Sequence, residues 1–314
     1  MNSGGNDGRP SPPVGRELSE VTLCAIDTAN TPLAARALAL CRRACAFGDS
    51  LLIADQPAGG DHRFERIEPL PTRQHYSEFV LRRLAGHIAT PFVLLVQWDG
   101  YIVDPDRWSD EFLHYDYIGA PWHWHGDGMT VGNGGFSLRS RRLLELMTTP
   151  GLPERGEQPE DHYICRTLRP LLESRHGIRF APQALAERFA YECSHPEEPT
   201  FGFHGLYNMW RHLDDREVPH LAEQLADYVI PSPEYAQFLR MYYILRKFTP
   251  LLALYRRLRR TMPVTELERH LAREFGDGTA AAACVKMCER HRRHEAVPST
   301  PPPGHPGRRS DEGP

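Results

Sequence analysis

The stretch Phe92–Val103, FVLLVQWDGYIV, decides the fold. Its first five residues, Phe92, Val93, Leu94, Leu95 and Val96, form an uncharged apolar run that stops abruptly at Gln97-Trp98-Asp99-Gly100. A short run with no polar alternation suits a strand buried on both faces of a parallel sheet. Its polar end then delivers side chains to the strand's carboxyl edge, where open α/β sheets bind their ligands. Asp99 therefore stands where chemistry is expected. Working outward, VTLCAIDT at Val21–Thr28 reads as a strand, TPLAARALALCRRACAF has apolar residues at helical spacing, and DSLLIAD at Asp49–Asp55 reads as a second strand. Strand, helix, strand predicts a βαβ unit with parallel pairing. HYSEFVLRRLAGHI at His75–Ile88 predicts a helix leading into the central strand.

Beyond the central strand the texture changes. Tyr115–His125, YDYIGAPWHWH, is dense in aromatics and His, and GMTVGNGGFSLRSRRLLELM at Gly128–Met147 reads as a Gly-rich loop running into a helix. Pro159 opens another helix with two acids in its first turn, which suits both the fixed φ of Pro and the helix dipole. The expected class is α/β, a mostly parallel central sheet flanked by helices over residues 18–215, followed by a helical region over residues 216–295. Residues 1–17 and 296–314 are rich in Gly, Ser and Pro without periodicity, and are expected to be disordered tails.

Composition narrows the function. The 314 residues carry 41 Asp+Glu against 37 Lys+Arg, a net charge of −4 and a pI near 6.5. A dedicated nucleic-acid-binding domain typically lies above pI ~9, so no nucleic-acid partner is expected. Seven Cys without a CxxC pair resemble scattered thiols more than a disulfide or zinc framework. No apolar run approaches the ~20 residues that span a bilayer, and the N-terminus lacks a signal-like apolar stretch. A cytoplasmic location is expected. RMYYILRKFTPLLALYRRLRR at Arg240–Arg260 mixes apolar and basic residues. It is either a helical pair packing on the main domain or an interfacial helix on anionic lipid at the inner face of the membrane.

Several residues could carry chemistry. Mg²⁺ and Mn²⁺ favour oxygen ligands and often use one or two carboxylates plus substrate phosphates; Asp99 suits that role and Asp104 is a second candidate, although either could cap a turn. Gly132-Asn133-Gly134-Gly135-Phe136 is either a tight turn or a loop moulded around a ligand, because its glycines permit close approaches. It is neither a Walker loop nor GxGxxG. Glu160-Asp161 reads as a helix cap or as a general base for a hydroxyl. His204, between Gly202-Phe203 and Gly205, has room to reach a metal or phosphate. His123 and His125 share one face if Trp122–His125 is extended, and Trp98, Trp122 and Trp124 could stack on a sugar or base or fill a core.

Together these motifs carry a resemblance. QWDGYI at Gln97–Ile102, YDYIGAPW at Tyr115–Trp122, VGNGGFSLRS at Val131–Ser140, PED at Pro159–Asp161, FAPQALAERFAYE at Phe180–Glu192 and FGFHG at Phe201–Gly205 resemble an uncharacterised bacterial and fungal domain family related to the GT-A glycosyltransferases. The resemblance covers roughly Val21–Leu213. It implies transfer of a sugar from a nucleotide-diphosphate donor to an acceptor hydroxyl, with Mn²⁺ or Mg²⁺ held by an Asp-x-Asp motif at a strand end. By that similarity Gln97-Trp98-Asp99 takes the motif's place, with Asp99 as the metal-binding acid and Gln97 in place of the first one. Asn133, Gly134 and Gly135 would line the donor, Glu160 or Asp161 would deprotonate the acceptor, His204 would complete the metal shell, and Trp122, His123 and His125 would contact sugar. A separate base and no evident nucleophile favour inversion. The missing acid at Gln97 keeps a second reading open, a catalytically inactive nucleotide-sugar- or carbohydrate-binding protein of the same fold. A metal-dependent phosphoesterase is a third. The acceptor could be carbohydrate, lipid or protein.

Overall fold

The structure, a computed structural model, describes residues 15–295. Strand β1 (Arg16–Ile26) begins inside the segment expected to be tail up to residue 17; residues 1–14 of that tail, and the whole of 296–314, lie outside the described residues. Helix α1 (Thr31–Ala44) starts with Pro at its first turn and buries Leu33, Ala34, Ala37, Leu38 and Cys41, then β2 (Cys45–Ala54) follows without a break. Short β3 (Arg63–Arg66) precedes α2 (Arg73–Arg82), whose first turn is capped by the Thr72 hydroxyl accepting from the His75 N–H. The helix expected to run on to Ile88 stops at Arg82, with a 3₁₀ turn over Leu84–His87. Strand β4 (Phe92–Val96) is the apolar run, and β5 (Tyr101–Ile102) lies just past Asp99.

β6 (Tyr117–Gly119) and β7 (Phe136–Ser140) complete the main sheet. Its order is β3-β2-β1-β4-β7-β6. β2 and β4 flank β1 in parallel and β3 joins β2 in parallel, whereas β7 runs antiparallel to β4 and β6. Gly128–Met147 reads as a Gly-rich loop running into a helix, with no strand between them, yet Phe136–Ser140 is a strand. All five residues are buried, and the two-residue alternation of Phe136 and Leu138 is too short to stand out after three glycines. Helix α3 (Arg141–Met147) starts only at Arg141, where the Ser140 hydroxyl accepts from the Leu143 N–H.

α4 (Glu160–His162) widens into a π turn over Tyr163–Thr167 and is followed by α5 (Arg169–His176) and α6 (Gln183–Phe189). β8 (Ala190–Tyr191), β9 (Gly202–Phe203) and β5 form a second, three-stranded sheet in the order β5-β9-β8. Residues from 218 onward are helical: α7 (Val218–Gln224), α8 (Pro233–Ile244), α9 (Phe248–Arg259), α10 (Val264–Phe275) and α11 (Gly278–Glu295). One hydrophobic cluster runs from Leu23 and Leu94 in the sheet through Leu38 of α1 to Phe238, Leu254 and Leu271 of the C-terminal helices, so these helices share the core of the sheet.

The segment Arg240–Arg260 does not form a single interfacial helix. It breaks between α8 and α9, where Arg246 has φ +55°. Leu251, Leu254, Tyr255 and Leu258 face the core, and Arg257, Arg259 and Arg260 pair with Asp227, Glu289 and Glu223. Exposed instead are Ile244, Leu245 and Phe248 around the break. Among the described residues no helix is long and apolar enough to cross a membrane.

Candidate functional site

From β1 the chain crosses through α1 to β2 on one side, whereas β4 lies on the other side of β1. The connections diverge between β1 and β4, and the crevice outside the carboxyl ends of such strands is where open α/β sheets bind ligands. A cavity of about 680 Å³ sits there, with Asp27, Arg73, Tyr76, Gln97, Trp98 and Tyr228 in its wall. The buried Tyr76 hydroxyl has no hydrogen-bond partner among the described residues.

The small sheet assembles the centre of the site. β5 pairs with β9 in the register Tyr101↔Phe203, and β8 pairs with β9 in the register Tyr191↔Phe203. The residues just beyond these pairs are thereby gathered: Asp99 before β5, His204 after β9 and Glu192 after β8. Backbone bonds fix them further, since the His204 N–H donates to the Tyr191 carbonyl and the Gly205 N–H to the Asp99 carbonyl. His204 Nδ1 lies 2.8 Å from Glu192 Oε1, and its Nε2 lies 3.1 Å from Gln97 Oε1 and 3.3 Å from Asp99 Oδ1. The other Asp99 oxygen accepts from the Leu206 N–H at 3.0 Å. Burial alone would push the His204 imidazole down, but Asp99 and Glu192 outweigh it and hold its pKa well above the ordinary value. Burial likewise favours a neutral Glu192, yet His204 and Asn133 keep that carboxyl below its usual range.

The glycine loop passes between this cluster and the paired acids. A Cβ on Gly135 would lie 2.0 Å from His204 Nε2, and one on Gly134 would lie 2.3 Å from Glu160 Oε1; neither position accepts a side chain. Asn133 takes the left-handed conformation, φ 64°, which Asn tolerates better than most residues, and its Oδ1 accepts from the Gly135 and Phe136 N–H groups. Glu160 and Asp161 have diverged in role. Glu160 Oε1 accepts from Arg139 Nη2 at 2.9 Å in a pair whose side chains are 0% and 5% exposed, with the guanidinium over the Tyr117 ring. Asp161, against the same loop, accepts instead from backbone, the Gly134 N–H at 2.9 Å and the His162 N–H at 2.7 Å. Burial and then the Glu160 charge push the Asp161 carboxyl up to about 6, against the pull of Arg139 and the two amides.

Other candidates are not brought to this centre. Trp122 is buried, and its ring fills the space over Gly132 where a Cβ would meet it at 2.3 Å. The segment around it is a turn rather than extended chain, so His123 and His125 do not share partners. His125 packs edge-on to Trp122, whereas His123 faces Gln183 and Glu187 on a separate cavity of about 920 Å³ that Cys193 and Tyr191 also line. Asp104 caps a 3₁₀ turn through the Asp106 N–H. Sequence reasoning missed Glu192, Arg139, Arg73, Tyr76 and Tyr228. Arg139 carried a signal, because a charged residue inside an apolar stretch requires a buried partner.

Whether a divalent cation suits the site is decided by its donor atoms. Asp99 Oδ1 is buried without a hydrogen-bond partner among the described residues, and the Gln97 and Asp99 oxygens stand 3.1 and 3.3 Å from His204 Nε2. Adjacent ligands about 2.1 Å from an octahedral Mg²⁺ lie about 3 Å apart, so the spacing fits. Glu192 on the far nitrogen matches the carboxylate that orients a ligating His. Among the described residues no three His, Cys, Asp or Glu side chains group as a metal site; here two such groups are joined by the Gln97 amide oxygen. A cation would replace the Nε2 proton, so the two compete.

A family described as "Protein of unknown function (DUF5672)" matches residues 62–204, a span that takes in Gln97, Asp99, the glycine loop, both acids and His204. No curated protein matches the sequence. Among solved structures, the chain is similar to galactosyltransferase LgtC in complex with donor and acceptor sugar analogs, at 14% identity and a TM-score of 0.33, over 59% of this chain and 86% of that one. It is also similar to S. aureus TarS 1-349, at 10% identity and a TM-score of 0.34, and to that protein in complex with UDP-GlcNAc, at 11% and 0.32; each covers 89% of this chain and 93% of the other.

Proposed function

We propose that this chain is a glycosyltransferase that moves a sugar from a nucleotide-diphosphate donor to an acceptor hydroxyl, with Mn²⁺ or Mg²⁺ bound at Gln97, Asp99 and His204. The observation that carries the reading is the meeting of Asp99 Oδ1, whose close polar contact is the His204 Nε2 ion pair at 3.3 Å, the Gln97 amide oxygen and that Nε2 beside the cavity at the β1/β4 divergence. The bound cation would neutralise charge on the diphosphate leaving group. Arg73, on the cavity wall, adds a positive charge for the same group. Gly134 and Gly135 let the loop backbone pack closely against Glu160 and His204, and the donor sugar would lie beside this loop, near Asp161. Asp161, with its carboxyl raised to about 6, takes the acceptor proton as the hydroxyl attacks. Glu160, held by Arg139, does not share that role. A dedicated base across the loop from the cation ligands supports inversion.

The second reading is a nucleotide-sugar-binding protein without turnover, supported by Gln97 in place of an acid and by the engagement of both Asp161 oxygens with backbone N–H groups. A panel of nucleoside-diphosphate sugars with Mn²⁺ separates the two. Consumption of at least one donor supports the transferase; binding of a donor with no hydrolysis or transfer, across acceptors of carbohydrate, lipid and protein type, overturns it in favour of the binder.

The proposed location is the cytoplasm. A peripheral contact with anionic lipid, if made, runs through the tip where Ile244, Leu245 and Phe248 are exposed beside Arg246, since apolar side chains flanked by cations suit the headgroup boundary. Full-length protein is then expected to float with phosphatidylserine vesicles and the Ile244→Asp/Phe248→Asp variant to remain in solution; equal flotation removes this contact.

A further inference from the structure

The turn over residues 226–230, between α7 and α8, carries Tyr228 to the wall of the 680 Å³ cavity. Its side chain is 66% exposed, the highest value among the large apolar and aromatic side chains with substantial exposure. Exposure here does not mean freedom. The Tyr228 hydroxyl lies 3.3 Å from Asn30 Nδ2, which donates to it, and Asn30 Oδ1 accepts from the Ala226 N–H at 2.8 Å. Asn30 is fully buried and stands at the N-cap of α1, yet its side chain makes no cap bond to that helix. Both ends of its amide instead hold a turn some two hundred residues away. Val229 and Ile230 are buried beneath the turn, and Arg257 bonds the Leu225 carbonyl and the Asp227 carboxylate from behind. A rigid aromatic face is thus held open to the cavity, the arrangement that stacks on a flat ligand.

Sheet order says which part of a donor reaches it. Along the carboxyl edge the strand ends follow β1, β4, β7, because antiparallel β7 begins at Phe136 opposite Val96. Gly134, Gly135 and Asp161 lie at the β7 end, the cation ligands at the β4 end, and Asp27, Asn30 and Tyr228 at the β1 end. With the sugar beside Asp161 and the diphosphate at the cation, the remaining part of the donor, its nucleoside, extends to the β1 end. We propose that Tyr228 is the stacking face for the donor's nucleobase, carried on a turn that Asn30 holds through the Ala226 N–H, so that the C-terminal helical region contributes directly to donor binding. This rests on the nucleotide-sugar reading above.

The test is calorimetric titration of UDP, GDP and ADP, with Mn²⁺, into wild type, Tyr228→Ala and Tyr228→Phe, all full length. Wild type binds at least one nucleotide. Tyr228→Ala weakens that binding by roughly five- to a hundredfold, the range of base–aromatic stacking, while Tyr228→Phe keeps it within about twofold because the ring remains. Equal affinity for wild type and Tyr228→Ala overturns the stacking role and leaves the transferase reading standing. A Tyr228→Phe variant as weak as Tyr228→Ala overturns it too, by moving the effect to the hydroxyl. A wild type that binds no nucleoside diphosphate overturns both readings together.

Discussion

Two buried charge clusters lie on either side of the Gly134–Gly135 loop, and they are built to opposite ends. At Arg139 one cation meets one carboxylate, Glu160, with both side chains sealed from solvent. At His204 one imidazole meets two carboxylates, Asp99 and Glu192, and one Asp99 oxygen is left without a hydrogen-bond partner among the described residues. The first cluster is balanced in charge, although Arg139 Nη1 too is left without a hydrogen-bond partner among the described residues. The second has surplus negative charge and lies beside a cavity, which is why the proposed cation is assigned to it and not to the first. The difference teaches that proximity of charge is not itself a site: Glu160 and Asp161 are neighbours in sequence and both lie against the loop, yet Glu160 is tied to a buried guanidinium while Asp161 meets only backbone N–H groups.

The comparison is broken most forcefully from the closed side. Replacing Glu160 by Ala leaves the Arg139 guanidinium buried and unpaired, a change that costs about 3–5 kcal/mol of stability. Urea denaturation of Glu160→Ala is expected to show that loss; a shift under about 1 kcal/mol would mean the pair is not the structural element described. The same experiment on Asp161→Asn is expected to show little change in stability, with the effect falling on turnover instead.

Asp161 sharpens the contrast through pH. Its carboxyl is raised to about 6 by burial and by Glu160. A base must be deprotonated to accept the acceptor proton, so kcat/KM is expected to be full above that value and to fall as the pH drops through about 6. Asp161→Asn is expected to lose about 10²- to 10⁴-fold in kcat, the usual contribution of a positioned base. A wild-type acid limb near 4 instead of 6, or an Asp161→Asn variant within a few-fold of wild type, removes Asp161 from that role.

Much of this architecture is legible in the chain. The apolar run Phe92–Val96 ending in Gln97-Trp98-Asp99 gives the central strand and its polar carboxyl end, and the strand–helix–strand pattern before it gives the parallel core. These succeed because burial on both strand faces and helical periodicity are local signals. The failures are non-local. Phe136–Ser140 is too short for its period to oppose the helix reading that Arg141–Met147 invites, and only pairing with β4 makes it a strand. Glu192 ends an unremarkable FAYE; its place beside His204 follows from two-residue strand pairings that no spacing encodes. Tyr228 lies in the C-terminal helical region, and its place on the cavity wall depends on Asn30 of the β1–α1 turn. The glycines at 134 and 135 were visible, but which side chains they make way for was not.

The central claim is that Gln97, Asp99 and His204 hold a divalent cation. Titration of Mn²⁺ into full-length protein with a saturating nucleoside diphosphate, followed by the EPR signal of free Mn²⁺, tests it most directly. One Mn²⁺ per chain is expected for wild type, with affinity reduced by at least about tenfold in Asp99→Ala and circular dichroism unchanged. Equal Mn²⁺ affinity in the two proteins would contradict the assignment.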